Sequence, residues 1–131
     1  MKLRIQGNSL RIRVGRSELA RLLHEGHIED TVQFTPAPEA RLTYALKVSP
    51  TDTSQTQVRY SPQEVAVILA PNQVLQWSLE TEVGINTQVP IGAGNSLEVI
   101  VEKDFACLDS SDEDNKDTFA NPLAGTNCQV G

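Results

Sequence analysis

Apolar residues occupy every second position in two runs at the start of the chain, residues 2–6 and 9–14. This period is typical of strands with one face buried. Gly7-Asn8 separates the runs, and a two-residue loop with glycine first favours a type II′ turn. The pattern therefore predicts a β-hairpin with its leucine, isoleucine and valine side chains on one face.

A short helix and a second pair of strands follow the hairpin. Ser17 is a residue type that caps helices, and residues 18–23 have helical apolar spacing. Gly26 is a typical helix stop. Residues 28–34 and 41–48 then alternate again, so the first 48 residues are predicted to form a ββαββ unit.

The same pattern returns after a polar loop over residues 49–56. Adding 55 to each residue number aligns residues 3–48 with residues 58–103 without a gap, and apolar positions coincide more often than random placement gives. Sequence identity between the halves is close to chance. The pattern favours an internal duplication, and two unrelated strand–helix segments that fall into register remain the alternative.

Two such units predict one α+β domain over residues 1–131. Repeat A covers residues 2–48, repeat B covers residues 57–103, and residues 104–131 form an acidic C-terminal strap or a mobile acidic tail. Each unit has one short helix, too little to bury its own sheet face, so the units are expected to share a core. Short connections predict a mostly antiparallel sheet or a half-open barrel.

The opening of the chain resembles swapped-hairpin DNA-binding domains of bacterial antitoxins and transition-state regulators. Residues 7–14, followed by Ser17-Glu18-Leu19, carry this resemblance, although Gly15-Arg16 stands where those domains usually have proline. The resemblance implies a dimer-like body built within one molecule, and a nucleic-acid-associated regulator.

The whole chain is also similar to an uncharacterised family of small bacterial proteins. The similarity lies in residues 7–11, residues 101–108, the Phe119-Ala120-Asn121-Pro122 stretch and Cys128. It implies a type of fold and no particular chemistry.

Charge is distributed unevenly along the chain. The net charge of −6 argues against a protein that is coated in basic charge to bind nucleic acid. The first 23 residues hold six basic residues and one acidic residue. The hairpin register places Arg4 opposite Arg11 and Lys2 opposite Arg13, and like charges in such positions destabilise a sheet unless an anion lies between them. We name the candidate anion- or partner-binding set the basic patch: Lys2, Arg4, Arg11, Arg13 and Arg16.

Three interpretations of the basic patch stay open. It is a solvated strand face, or the chain's own acidic segment covers it, or it binds an external anion. Self-covering predicts that acidic residues of the strap lie near Arg4, Arg11 or Arg13; the candidates are Asp109, Asp112, Glu113, Asp114 and Asp117.

Four residues could form a tetrahedral metal site: Cys107, Cys128, His24 and His27. The chain has no paired-cysteine clamp, so a disulfide, a reduced pair or two unrelated thiols are the alternatives. No cofactor is expected. Two cysteines in a chain of this size, with no long apolar stretch at its start, favour a cytoplasmic location.

The sequence shows no nucleophile elbow, metalloprotease helix or phosphate-binding loop. Its function is therefore unassigned, and a non-catalytic cytosolic binding or accessory module is the favoured class. The alternatives are a nucleic-acid-associated regulator and a small enzyme or metal-binding protein. The expected partner is an unidentified protein or an anionic partner. Nucleic acid is not the favoured partner, no membrane is expected, and the chain is a monomer or a homodimer.

Overall fold

The computed structural model describes residues 1–51, 55–79, 81–105 and 117–119. Within them, strand–strand–helix–strand–strand occurs twice, which confirms the predicted α+β class with two short helices. The elements are β1 (Lys2–Gln6), β2 (Ser9–Val14), α1 (Arg16–Glu25), β3 (His27–Gln33), β4 (Arg41–Val48), β5 (Gln57–Ser61), β6 (Glu64–Leu69), α2 (Pro71–Trp77), β7 (Gly84–Gly92) and β8 (Asn95–Lys103).

The two halves of the chain exchange hairpins to build two four-stranded sheets. Sheet A has the order β1-β2-β8-β7, and sheet B has the order β3-β4-β6-β5. The outer pairs in each sheet are antiparallel, but the central pairs β2–β8 and β4–β6 are parallel. The prediction of mostly antiparallel pairing is therefore confirmed, and the two central pairs are parallel because their strands come from different halves and no short loop joins them. Neither sheet closes into a barrel within the described residues.

The two parallel pairs are related by the 55-residue offset. Ser9 pairs with Glu98 in sheet A, and Glu64 pairs with Thr43 in sheet B. A backbone hydrogen bond beside each pair is repeated as well: the Glu98 N–H donates to the Asn8 carbonyl (3.1 Å), and the Thr43 N–H donates to the Gln63 carbonyl (2.7 Å). This agreement in register supports an internal duplication with a pseudo-twofold axis between the sheets.

The ungapped alignment is wrong over β3 and β7. His27 pairs with Lys47, and Gly84 pairs with Glu102. Lys47 and Glu102 are 55 residues apart, as the alignment requires, but His27 and Gly84 are 57 residues apart. The equivalent of Ile28 is therefore Ile85, not Val83. The cause lies in α2, which has seven residues where α1 has ten; a longer irregular link then carries the chain to β7.

The core lies between the sheets and is built from equivalent positions in the two halves. Five pairs of buried residues are 55 apart in the chain: Ile12 and Val67, Val14 and Leu69, Leu19 and Val74, Leu22 and Trp77, and Leu46 and Val101. Each helix contributes only two buried residues. Both inner sheet faces are therefore covered mainly by each other, as the duplication predicts.

The turn signals near the start of the chain are mostly confirmed. Gly7 has a φ of +56° and Gly26 has a φ of +84°, values that glycine adopts without steric cost. The predicted cap at Ser17 is wrong, because α1 begins at Arg16 after the N-cap residue Gly15. No helix among the described residues is long and apolar enough to cross a membrane.

Candidate anion-binding face of sheet A

The hairpin of β1 and β2 places its basic side chains on the outer face of sheet A, the face turned away from the core. Arg4 pairs with Arg11 and Lys2 pairs with Arg13, which is the register that the two-residue loop predicts. Ile12 on the opposite face of β2 is buried. Alternation along the strand therefore directs the four cations outward.

Acidic residues of β8 partly neutralise these cations. Glu102 lies opposite Arg13 across the parallel pair, and its Oε1 accepts a hydrogen bond from Arg13 Nε at 2.9 Å. The same oxygen is 3.7 Å from Arg11 Nε. One carboxylate therefore contacts two arginines of the hairpin.

A second carboxylate on β8, Glu98, is held by neutral donors. The Ser9 hydroxyl donates to its Oε1 at 3.1 Å, and Gln88 Nε2 donates to its Oε2 at 3.4 Å. The Ser96 hydroxyl in turn donates to Gln88 Oε1 at 2.9 Å. Glu98 is thus tied into a network that is separate from the Arg11–Glu102–Arg13 contacts.

A shallow cavity of about 230 Å³ opens between these two acidic positions. Its lining combines two guanidinium groups, an amide, a hydroxyl, a carboxylate and an apolar side chain: Arg4, Gln6, Ser9, Arg11, Glu98 and Ile100. Among the described residues no ion pair reaches the Arg4 guanidinium. Two opposed guanidinium groups above one cavity can receive carboxylate or phosphate oxygens.

The equivalent face of sheet B has a different character. Across sheet A the central row of outward residues is Arg4, Arg11, Ile100 and Asn86. The equivalent row of sheet B is Arg59, Ala66, Ala45 and Glu29. The two alanines are fully buried under their neighbours. The paired cations therefore belong to one half of the duplication only.

Arg16, the fifth residue of the basic patch, lies at the first position of α1 rather than on a strand. Its N–H donates to the Asp117 carbonyl at 2.9 Å. The Asp117 carboxylate accepts hydrogen bonds from the Ser17 N–H (2.9 Å) and the Ser17 hydroxyl (2.6 Å). Gly15 permits this close approach, because a Cβ there would lie 2.6 Å from the Asp117 carboxylate. A residue 100 positions away thus caps the helix.

The hydrogen bonds from Ser17 hold the pKa of Asp117 below its ordinary value, with the Arg16 charge as a smaller cause. A lowered pKa in the folded state stabilises the fold above about pH 4, and this stabilisation is lost as the pH falls through the folded-state value. We expect Asp117→Asn to lower the free energy of unfolding at pH 6 and to have little effect near pH 2. Urea unfolding at several pH values measures the difference.

Glu39→Gln is the matched control, since the Glu39 carboxylate makes no hydrogen bond or ion pair among the described residues. This variant should leave the free energy of unfolding close to the wild-type value. A constant difference between the wild type and Asp117→Asn from pH 6 to pH 2 would contradict the capping role of the carboxylate.

The contact between the strap and the basic patch that the structure describes involves residues other than the predicted ones. Asp104 Oδ2 lies 2.8 Å from Lys2 Nζ. Asp117 binds α1 instead of the arginines on β1 and β2. Phe119 packs against the core and forms an edge-to-face contact with Phe105. The other acidic candidates, Asp109, Asp112, Glu113 and Asp114, lie outside the described residues, so their position stays a prediction.

A second group of charges lies where the start of the chain meets α1. The Met1 ammonium pairs with Glu18, and it is 3.4 Å from Asp30 Oδ2. Burial, with the nearby charges of Asp30 and Glu18, raises the pKa of Tyr44. At the equivalent place in the second half, the Thr56 hydroxyl donates to Gln73 Oε1 at 3.1 Å. The apolar pattern of the sequence did not predict that an ion pair in one half is replaced by a neutral hydrogen bond in the other, since the two partners in each half lie on different elements.

The candidate metal ligands are only partly described. His24 lies in the last turn of α1 and His27 begins β3, and both are exposed. Cys107 and Cys128 lie outside the described residues. The described part of the chain contains no group of three or more histidine, cysteine, aspartate or glutamate side chains placed to hold a metal ion. The four-residue site remains an untested alternative.

Comparison with known proteins finds one family. The model of DUF7009, a family of unknown function, matches residues 1–123. This agrees with the resemblance to an uncharacterised family. No curated protein and no solved structure matches the chain.

Proposed function

The chain belongs to the DUF7009 family, and since the function of that family is unknown, we propose from the geometry that it is a non-catalytic binding module. Its outer sheet A face holds an anionic group of a partner. The observation that carries the proposal is the cavity in which Arg4 and Arg11 stand directly opposite each other. An anion placed between them relieves the repulsion that the hairpin register imposes.

The composition of the cavity suits binding better than chemistry. Guanidinium groups stay protonated at all ordinary pH values, so they hold anions but do not transfer protons. The carboxylate in the lining, Glu98, accepts hydrogen bonds from Ser9 and Gln88. These two hydrogen bonds occupy both of its carboxylate oxygens and hold it in place beside the arginines.

The arrangement of charges favours a protein partner that presents carboxylates. Glu98 and Glu102 lie beside the arginines on the same face, and the net charge of the chain is −6. Both repel an extended polyanion such as nucleic acid, whose binding depends on neutralising many phosphates at once. One or two carboxylates between Arg4 and Arg11 meet a single acidic side chain in the cavity lining, Glu98, rather than the many negative charges along the face. The module itself is proposed to be a monomer or a homodimer.

A cytoplasmic location is part of the proposal. It is supported by the small number of cysteines, two in 131 residues, because small proteins of oxidising compartments are commonly rich in disulfides.

A binding assay with a charge-reversed pair of variants tests the proposal. Fluorescein-labelled polyglutamate is titrated with the protein at low ionic strength, and binding is followed by fluorescence anisotropy. Arg4→Glu should weaken binding about tenfold or more, the equivalent of about 1.4 kcal/mol. The matched control is Arg59→Glu, which makes the same change at the equivalent position of sheet B.

We expect Arg59→Glu to bind polyglutamate nearly as well as the wild type, because no second arginine lies opposite Arg59. Equal weakening in the two variants would show that net charge alone governs binding. An unchanged affinity in Arg4→Glu would exclude the cavity as the site.

A nucleic-acid-associated regulator is the second candidate. The exchange of hairpins between the two halves is the arrangement that a swapped-hairpin dimer would give if its chains were joined. Duplex DNA in the same assay tests this alternative. Tight binding of DNA with a steep dependence on salt would favour the regulator over the protein-binding module.

A further inference from the structure

The open edge of sheet A adjoins the cavity, and it points to the conformation in which a partner binds. We propose that β1 receives an extended segment of the partner as a fifth strand, and that acidic and apolar residues alternate along this segment. The inference rests on the proposed function, because it places the partner's carboxylates beside Arg4, one of the two arginines of the cavity.

The backbone of β1 has an open edge within the described part of the chain. There, β1 is the first strand in the order of sheet A and pairs only with β2. In a two-residue hairpin the residues that flank the loop, Gln6 and Ser9, form a hydrogen-bonded pair, and such pairs alternate along the strands. Arg4 therefore directs its backbone groups toward β2. Leu3 and Ile5 direct theirs toward the open edge.

The side chains of β1 have different chemistry on the two faces of the sheet. Lys2 and Arg4 project outward, whereas Leu3 and Ile5 lie on the inner face. Ile5 is 61% exposed although it belongs to the apolar face. A strand added here places alternate side chains beside the cations and beside these apolar residues. Alternating acidic and apolar residues complement both rows.

The acidic residues of β8 do not cancel this attraction. Neighbouring strands lie about 4.8 Å apart, so carboxylates on the added strand lie about 5 Å from Arg4 and from Lys2, which also contacts Asp104. Glu98 and Glu102 are on β8, with β1 and β2 between it and the added strand. The separation is then about 14 Å, beyond the Debye length of about 8 Å at physiological salt.

A second copy of this chain is a poorer occupant of the same edge. Pairing β1 with another β1 brings Lys2 and Arg4 of one copy close to the same residues of the other. Like charges at paired positions destabilise a sheet, and charged residues on edge strands commonly prevent such association. The charge pattern therefore selects an acidic segment and discourages self-pairing.

The chain contains its own control for this inference. β5 is the edge strand of sheet B at the position equivalent to β1. It offers the same kind of backbone edge and an exposed residue, Tyr60, where β1 has Ile5. Its outward residues are Gln57, Arg59 and Ser61, so only one of them is basic. An acidic partner should prefer β1.

Two synthetic peptides of equal composition provide the probes. One is the fluorescein-labelled octapeptide of alternating Glu and Val; the other has four Glu followed by four Val. The alternating peptide should bind the wild-type protein about tenfold more tightly than the block peptide. Ile5→Pro should abolish this preference, because proline removes an N–H that points to the open edge. Tyr60→Pro, the matched change on β5, should preserve it.

Ile5→Ser is a second variant that leaves the backbone donor in place. It removes the apolar contact and should weaken the alternating peptide several-fold without affecting the block peptide. Circular dichroism shows whether each variant is folded, and sedimentation equilibrium shows whether it remains in the wild-type association state.

The outcomes separate this inference from the proposed function. Equal binding of the two peptides, insensitive to Ile5→Pro but lost in Arg4→Glu, would overturn the added strand and leave the anion-binding face intact. Binding of neither peptide, together with polyglutamate binding that is unaffected by Arg4→Glu, would overturn both. A dimer formed through β1 that excludes the peptide would also overturn the inference.

Discussion

Replacing Trp77 by alanine should lower the free energy of unfolding by about 3–5 kcal/mol, the usual cost of removing a large aromatic residue from a core. Trp77 is 1% exposed and contacts the core shared by both halves. Its indole N–H donates to the Val83 carbonyl at 3.1 Å. That carbonyl also accepts the Lys103 N–H at 3.0 Å, so it keeps a partner in the variant. The loss is therefore mainly one of packing.

Urea unfolding followed by circular dichroism measures this effect, because Trp77 is the only tryptophan and its fluorescence is absent from the variant. Leu75→Ala on the same helix is the control. Leu75 is 61% exposed, and such surface changes usually alter stability by less than about 0.5 kcal/mol. A cost below about 1 kcal/mol for Trp77→Ala would show that α2 does not close the core.

Gly84→Ala should destabilise the fold by about 1–3 kcal/mol, the range for forcing extra atoms into a packed region. Gly84 begins β7 and lies directly opposite Glu102. A Cβ at this position would lie 2.6 Å from the Val101 carbonyl oxygen and 2.9 Å from Glu102 Cβ. The nearest obstacle is backbone at the centre of sheet A, so β7 would have to move away from β8.

Asn86→Ala provides the comparison for Gly84→Ala, since Asn86 is two residues further along β7 and exposed. It should change the urea midpoint only slightly. If the two variants have equal stability, β7 does not approach β8 as closely at Gly84 as the structure indicates.

Local features of this fold follow directly from the sequence. The length of the Gly7-Asn8 loop determines which residues of β1 and β2 face each other, so the Arg4–Arg11 pair could be predicted. The apolar pattern likewise identified the order of strands and helices in both halves. These features depend on neighbours in the chain, and turn chemistry and residue period determine them.

Features that depend on which hairpins share a sheet could not be predicted. Glu102 lies beside Arg13 only because β8 pairs with β2 from the other half, and nothing in either strand specifies that partner. The contact of Asp117 with Ser17 joins residues 100 positions apart. Gly15 permits this contact, but in the sequence alone this glycine indicates only the start of a helix. The candidate site therefore combines a predictable row of cations with acidic neighbours that only the tertiary structure shows.

Of the two equivalent halves, only one is proposed to carry an anion-binding edge. Titration of the ¹⁵N-labelled protein with the alternating Glu-Val peptide, followed by NMR, locates this edge. We expect shift changes confined to residues 2–6 and 9–13, with slower hydrogen exchange at the Leu3 and Ile5 amides, while the equivalent amides of Val58 and Tyr60 do not change. Shift changes of equal size on β1 and β5, or changes centred on sheet B, would contradict it.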